Sequence, residues 1–164
     1  MFTGEPVKSR AGIRHDLGEE SCRALILLGV GDRKVKEALA AATSAIMAQV
    51  RQFETDGNAR GVYCCGMCSV AYWRHMAAGG LDRNEERLTA GMEALKASRT
   101  GGARWKRFPF HYTLLALSEM DIRPALEEMR YVAPALERYL KSSTDGGEYS
   151  RRRRLLCQRV LSKC

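Results

Sequence analysis

The sequence predicts an all-α protein built from stacked helical hairpins, about three of them, closed by a C-terminal capping helix. Three observations carry that reading. Apolar segments without a polar face alternate with segments whose apolar residues recur every three to four positions. Ala, Leu, Glu, Arg and Met dominate both kinds of segment, whereas strands would need alternation at two and enrichment in Val, Ile and Thr. Finally, the pattern repeats: Leu81, Leu88 and Leu95 align with Ile122, Met129 and Leu136 at a constant offset of 41 residues. A period in the forties is the spacing of helical hairpins that bury their faces only against their neighbours.

Taken in order, residues 1–18 carry charge throughout and are expected to be extended. The hairpin domain then spans 19–141. Its apolar segments, Cys22–Val30, Cys64–Ala78 and Phe110–Met120, read as buried helices. Each precedes a one-sided helix: Val35, Leu39, Ala42, Ile46, Val50 and Phe53 mark the first, Leu81 to Leu95 the second, and Ile122, Leu126, Met129, Val132, Leu136 and Leu140 the third. Gly29 and Gly31, then Gly79 and Gly80, stand where one helix must turn into the next, and Asp32, Asp82 and Asp121 are placed to cap the helices that follow. Gly-rich stretches at 54–61, 98–107 and 142–148 mark the boundaries between hairpins. Residues 148–164 form the basic cap, with Leu155, Leu156, Val160 and Leu161 on its inner side.

Composition narrows the function. The chain has 164 residues, 45% hydrophobic and 28% charged, enough for one core and incompatible with disorder. Its longest apolar run, Ala24–Val30, is far below the roughly 20 residues that span a bilayer, so no membrane span is expected. The first twenty residues lack the apolar block of a secretory signal, which points to the cytoplasm and to reduced cysteines. The net charge of +8 is local: residues 149–164 hold six basic residues and no acid, and Arg99, Arg104, Lys106 and Arg107 crowd one loop.

The repeat resembles the α/α-toroid superfamily of terpenoid cyclases and protein prenyltransferase β subunits. The likeness rests on Gly101-Gly102-Ala103-Arg104-Trp105 followed by Phe108 to Ser118, and on a second copy from Tyr63 to Leu81 with Tyr72 and Trp73. It implies a partial toroid over residues 20–141 and an apolar, isoprenoid-type ligand or a protein partner on the concave side. The aromatics that would line such a site are Trp73, Trp105, Phe108, Phe110 and Tyr112; equally, they can fill the core between hairpins. The aspartate cluster that starts cyclase chemistry has no counterpart, because the six aspartates are dispersed. Prenyltransferases hold zinc near the starts of inner helices, where this chain places Cys65, Cys68 and His111. A zinc-assisted transferase is therefore the enzymatic alternative. Half a ring would leave an end hairpin bare, so a homodimer is expected.

Two further sites come from the residues themselves. Cys64-Cys65-Gly66-Met67-Cys68 sets thiols at i and i+3 at a helix start, where they can converge on one cation or simply pack as small apolar groups. Arg151, Arg152, Arg153 and Arg154 can contact the phosphates of a nucleic acid or another anion. Four consecutive arginines also point in four directions around a helix, as a solvated or ion-paired cap would. Whether any reaction is catalysed stays open at the level of sequence.

Overall fold

The computed structural model describes residues 1–7, 9–58, 60–142 and 146–164. Among these, seven helices run in order: α1 Arg10–Leu28, α2 Arg33–Thr55, α3 Gly66–Ala77, α4 Asn84–Ala97, α5 Phe110–Glu119, α6 Arg123–Ser142 and α7 Gly147–Leu161. The all-α expectation holds. Helices pack in consecutive couples, α1 on α2, α3 on α4 and α5 on α6, while α3 touches α1 and α5, α5 touches α7, and α4 and α6 meet behind them. The inner helices thus form a row, with α3 and α5 at its centre. Both are buried on all sides from Cys68 to Met76 and from Tyr112 to Ser118, which is why neither sequence keeps a polar face.

Helix ends follow their local chemistry. Ser9 Oγ accepts from Gly12 N at 3.0 Å to start α1, and Gly29 ends it in the left-handed region at φ 60°. Asp32 caps α2 through Lys34 N and Val35 N, as expected. Asp82 does not cap α4; its carboxylate turns to Arg87 Nε at 3.4 Å, and Arg83 takes the N-cap position. A closer constraint lies between hairpins. Trp73 Nε1 donates to Gly61 O at 2.6 Å, and a Cβ on Gly91 would stand 2.4 Å from that same nitrogen. Only a residue without a side chain lets the indole reach the loop.

Four expectations need correction. The extended N-terminal segment ends at Ser9, not residue 18, because Ser9 caps a helix that begins at Arg10. The leucine-rich end of that helix is not buried: Leu27 and Leu28 are 60% and 74% exposed. Helix α1 instead turns a polar stripe inward, with Glu19 and Cys22 buried and His15, Asp16 and Arg23 half-buried, since α3 offers it Arg74 and His75 as partners. The 98–107 loop is not wholly irregular, because Arg99–Thr100 and Arg104–Trp105 pair as a short antiparallel ribbon, β1 and β2. It is pinned by Glu128, which accepts from Arg99 Nη2 at 2.7 Å and Trp105 Nε1 at 2.8 Å. On α7 the inner side consists of Leu156, Cys157 and Val160, leaving Leu155 exposed. Of the boundary stretches, residues 59 and 143–145 lie outside the described residues.

Candidate thiol-imidazole centre and adjoining cleft

The turn before α3 is built to gather sulfur. Cys64 adopts a left-handed backbone at φ 55°, a region that non-glycine residues occupy at a cost, and Cys65 follows in extended conformation as the N-cap. Ser69 locks the turn, its hydroxyl lying 3.0 Å from Tyr63 N as acceptor and 2.8 Å from Cys65 O as donor. Cys65 Sγ comes to 3.5 Å from Cys68 Sγ one turn on. From across the interface α1 contributes His15, whose Nδ1 lies 3.4 Å from Cys68 Sγ. The donor atoms of His15, Cys64 and Cys68 all fall within 4.8 Å of one another. Tyr63 supports the imidazole with its ring centroid at 4.9 Å. Burial pushes the Cys68 thiol well above the ordinary range, and burial with the neighbouring Cys65 raises Cys64.

The structure therefore brings Cys65 and Cys68 together but does not bring His111 to them. His111 sits at the head of α5, where Nδ1 is 4.0 Å from Glu5 Oε1 and the ring packs on Phe110 and Tyr139 at 5.3 and 5.5 Å. Burial, then Arg153 and Arg104, press its pKa down to about 4. The Cys65, Cys68 and His111 set is corrected accordingly: the sulfurs face α1, not α5. The transferase alternative loses its ligand triad with it.

Residues 1–7 form a strap across the heads of α5 and α7. Glu5 caps α5 in place of a local side chain, accepting from His111 N at 3.1 Å and Tyr112 N at 2.7 Å. Thr3 O and Phe2 O accept from Arg153 Nε at 2.7 Å and Arg152 Nη1 at 3.2 Å, and the Arg152 guanidinium lies 4.5 Å over the Phe2 ring. Arg154 reaches Leu140 O at 3.1 Å. The proposed anion-binding row is thus corrected as well: Arg152, Arg153 and Arg154 tie the cap to the strap and to α6, and Arg151 alone of the four is exposed.

Beneath the strap opens a cleft of about 660 Å³, bounded by Pro6 and Val7 above, Cys65 and Met67 at the head of α3, and Phe108 and Pro109 before α5. Gly66 is required at its floor, where a Cβ would meet Arg107 O at 2.1 Å. Of the five aromatics expected to line a ligand site, only Phe108 does so. Trp73 stacks behind it at 5.4 Å and is fully buried, as is Tyr112; Trp105 is held by Glu128, and Phe110 lies under the Arg104 guanidinium at 4.3 Å. Those four serve the core.

A second polar cluster joins α1, α3 and α5. Arg74, almost wholly buried, donates Nε to Glu119 Oε2 at 2.8 Å and also holds Glu20. Arg23 adds a 2.9 Å bond to Glu119. The Tyr112 hydroxyl lies 2.9 Å from Asp16 and 2.6 Å from Glu20, and burial raises its pKa so far that it stays a donor. Below it, His75 Nδ1 meets Glu19 Oε2 at 2.6 Å, the two side chains being 0% and 1% exposed. The Glu20 and Glu119 carboxylates are thus paired with Arg74 and Arg23, as buried charges must be.

Sequence reasoning missed His15, Cys64, Glu5 and Arg74 as site and framework residues. Cys64 stood in the quoted cysteine run; the other three had no local signal, since each meets its partners more than forty residues away. No family model, no curated protein and no solved structure matches the chain. Among the described residues, no helix is long and apolar enough to cross a membrane.

Proposed function

We propose that this chain is a toroid-like hairpin stack whose task is binding: it takes a small, largely apolar ligand of isoprenoid type in the cleft under the N-terminal strap. The observation that carries this reading is the cleft itself, about 660 Å³ with Pro6, Val7, Met67, Phe108 and Pro109 as apolar walls and Glu5, Ser9, Cys65 and Arg107 as the few polar groups. That size and that balance are those of small-molecule sites. The nested couples, with α1, α3, α5 and α7 in one row, agree with the toroid-like order. Titration calorimetry with farnesol tests it. Binding by the wild type should weaken at least about tenfold in Met67→Arg, a loss of about 1.4 kcal/mol, while helix content stays unchanged because Met67 is only half-buried. A wild type that takes up no farnesol, or a variant that binds it equally well, removes the reading.

A second reading concerns association. Ile13, Leu17, Leu27 and Leu28 stand exposed on α1, which packs chiefly on α3 and α2 at the end of the row. An apolar flank of this kind is covered most simply by a second copy of the chain. We expect the wild type to sediment as a dimer and Leu17→Lys with Leu28→Lys as a monomer; a wild-type monomer at its highest soluble concentration would exclude the pairing.

A further inference from the structure

We propose that His15, Cys64, Cys65 and Cys68 hold a zinc ion that fastens α1 to the head of α3. The two separations that run from Cys65 through Cys68 to His15 suit the metal as they stand. Zinc binds sulfur at about 2.3 Å and imidazole nitrogen at about 2.0–2.1 Å in a tetrahedron, which sets donors roughly 3.3–3.8 Å apart. Cys65 Sγ and Cys68 Sγ are 3.5 Å apart, Cys68 Sγ and His15 Nδ1 3.4 Å, and Cys64 closes a group with Cys68 and His15 inside 4.8 Å.

The donor types choose among cations. Three thiolates and one imidazole form a soft set that disfavours magnesium and calcium, which want oxygen, and matches the Cys₃His composition of structural zinc sites. Four protein donors fill a tetrahedron and leave no position for a substrate, so this centre is structural rather than catalytic. The positive end of α3 favours the thiolate forms that zinc needs. Backbone strain at Cys64 has a purpose here, since the left-handed turn at φ 55° is what aims a third sulfur at a group formed one helical turn away. Cysteines that merely pack are buried singly among apolar atoms, as Cys157 is; Cys64 is exposed and grouped with Cys68 and an imidazole, and Cys65 is exposed beside Cys68.

The ion would clamp three things at once: α1, the loop that leads into α3, and Cys65 in the wall of the cleft. It stands apart from the identity of the cleft's ligand, because zinc uptake without farnesol binding, or the converse, separates the two readings.

The test uses the reduced full chain with Zn²⁺ or Co²⁺ alone. One metal per chain is expected, and the cobalt form should show thiolate-to-cobalt charge transfer in the near ultraviolet with the strong visible bands of a tetrahedral site. His15→Ala, Cys68→Ser and Cys64→Gly should each weaken zinc binding by at least about 100-fold. Cys64→Gly relieves the left-handed backbone, so a merely structural loop would gain from it while a ligand is lost. His111→Ala and Cys157→Ser should bind zinc like the wild type. Should a variant fail to fold, the wild type still decides: zinc should shield Cys64, Cys65 and Cys68 from alkylation and leave the exposed Cys164 reactive. A cobalt spectrum without charge transfer, His15→Ala binding at full affinity, no shielding of the three thiols, or a reduced chain that takes up no zinc would each overturn the proposal.

Discussion

Arg74→Met is expected to lower the unfolding free energy by about 3–5 kcal/mol, the range for removing one partner of a buried ion pair. The guanidinium is the centre of the α1, α3 and α5 junction, bonded to Glu119 at 2.8 and 3.0 Å and to Glu20. Met fills much of the same volume, so the cost is charge left unpaired, not a cavity. Arg23 still reaches Glu119 and so holds the loss toward the lower end of the range. At roughly 2–4 °C per kcal/mol for a chain this size, the melting temperature should fall about 6–20 °C. Adding Glu20→Gln and Glu119→Gln to the same variant should recover most of the loss, since neutral amides need no counterion. Denaturant midpoints decide between the accounts: a triple variant no more stable than Arg74→Met would mean that the arginine acts by packing.

The second large effect is pH dependence from His111. Its pKa in the folded chain is about 4, against an ordinary 6.5, because burial and the nearby Arg153 and Arg104 oppose the charged form. Glu5 is the carboxylate that faces it, and that group is engaged by two backbone amides. Folding therefore favours neutral imidazole, and the unfolded chain takes up the proton first. The contribution is complete above about pH 6.5, shrinks as pH falls toward about 4, and is flat below that, for a total of about 3 kcal/mol. His111→Phe keeps a flat ring between Phe110 and Tyr139 and removes the titration. Its stability should fall less steeply than the wild type's between pH 6.5 and 4, by the whole of that difference. Parallel curves for the two proteins would show that His111 charges without penalty.

What the sequence made legible was set by contacts that are local or periodic. The 41-residue offset places α4 and α6 correctly, because Leu88, Met92 and Leu95, then Met129, Val132 and Leu136, bury one face each. Asp32 was readable for the same reason, since a cap needs only the next three residues. The α1 reading failed because hydrophobicity is a rule about averages: Leu27 and Leu28 belong to an end helix, and the face that packs carries Glu19 and Arg23, which become tolerable only beside His75 and Glu119. Within the candidate site the cysteine pair was legible from its spacing, and its imidazole was not. Choosing His15 over His111 depends on which helix flanks α3 on the sulfur side, and no spacing in the chain encodes that. Glu5 is the same kind of case, a cap supplied from 106 residues away.

That long reach has a consequence for how the molecule comes into being. Phe2, Thr3 and Glu5 leave the ribosome more than a hundred residues ahead of the Tyr112 amide and the Arg152 and Arg153 guanidinium groups that receive them. Glu5 must wait for the head of α5, and Phe2 and Thr3 for the arginines of α7, so the loop entropy of closing the strap over the hydrophobic recess is met in two steps, each after its partner helix has been made. A nascent chain stalled before residue 150 would hold Glu5 on α5 yet lack the arginine ties to Phe2 and Thr3, leaving the strap over that recess fastened at one end.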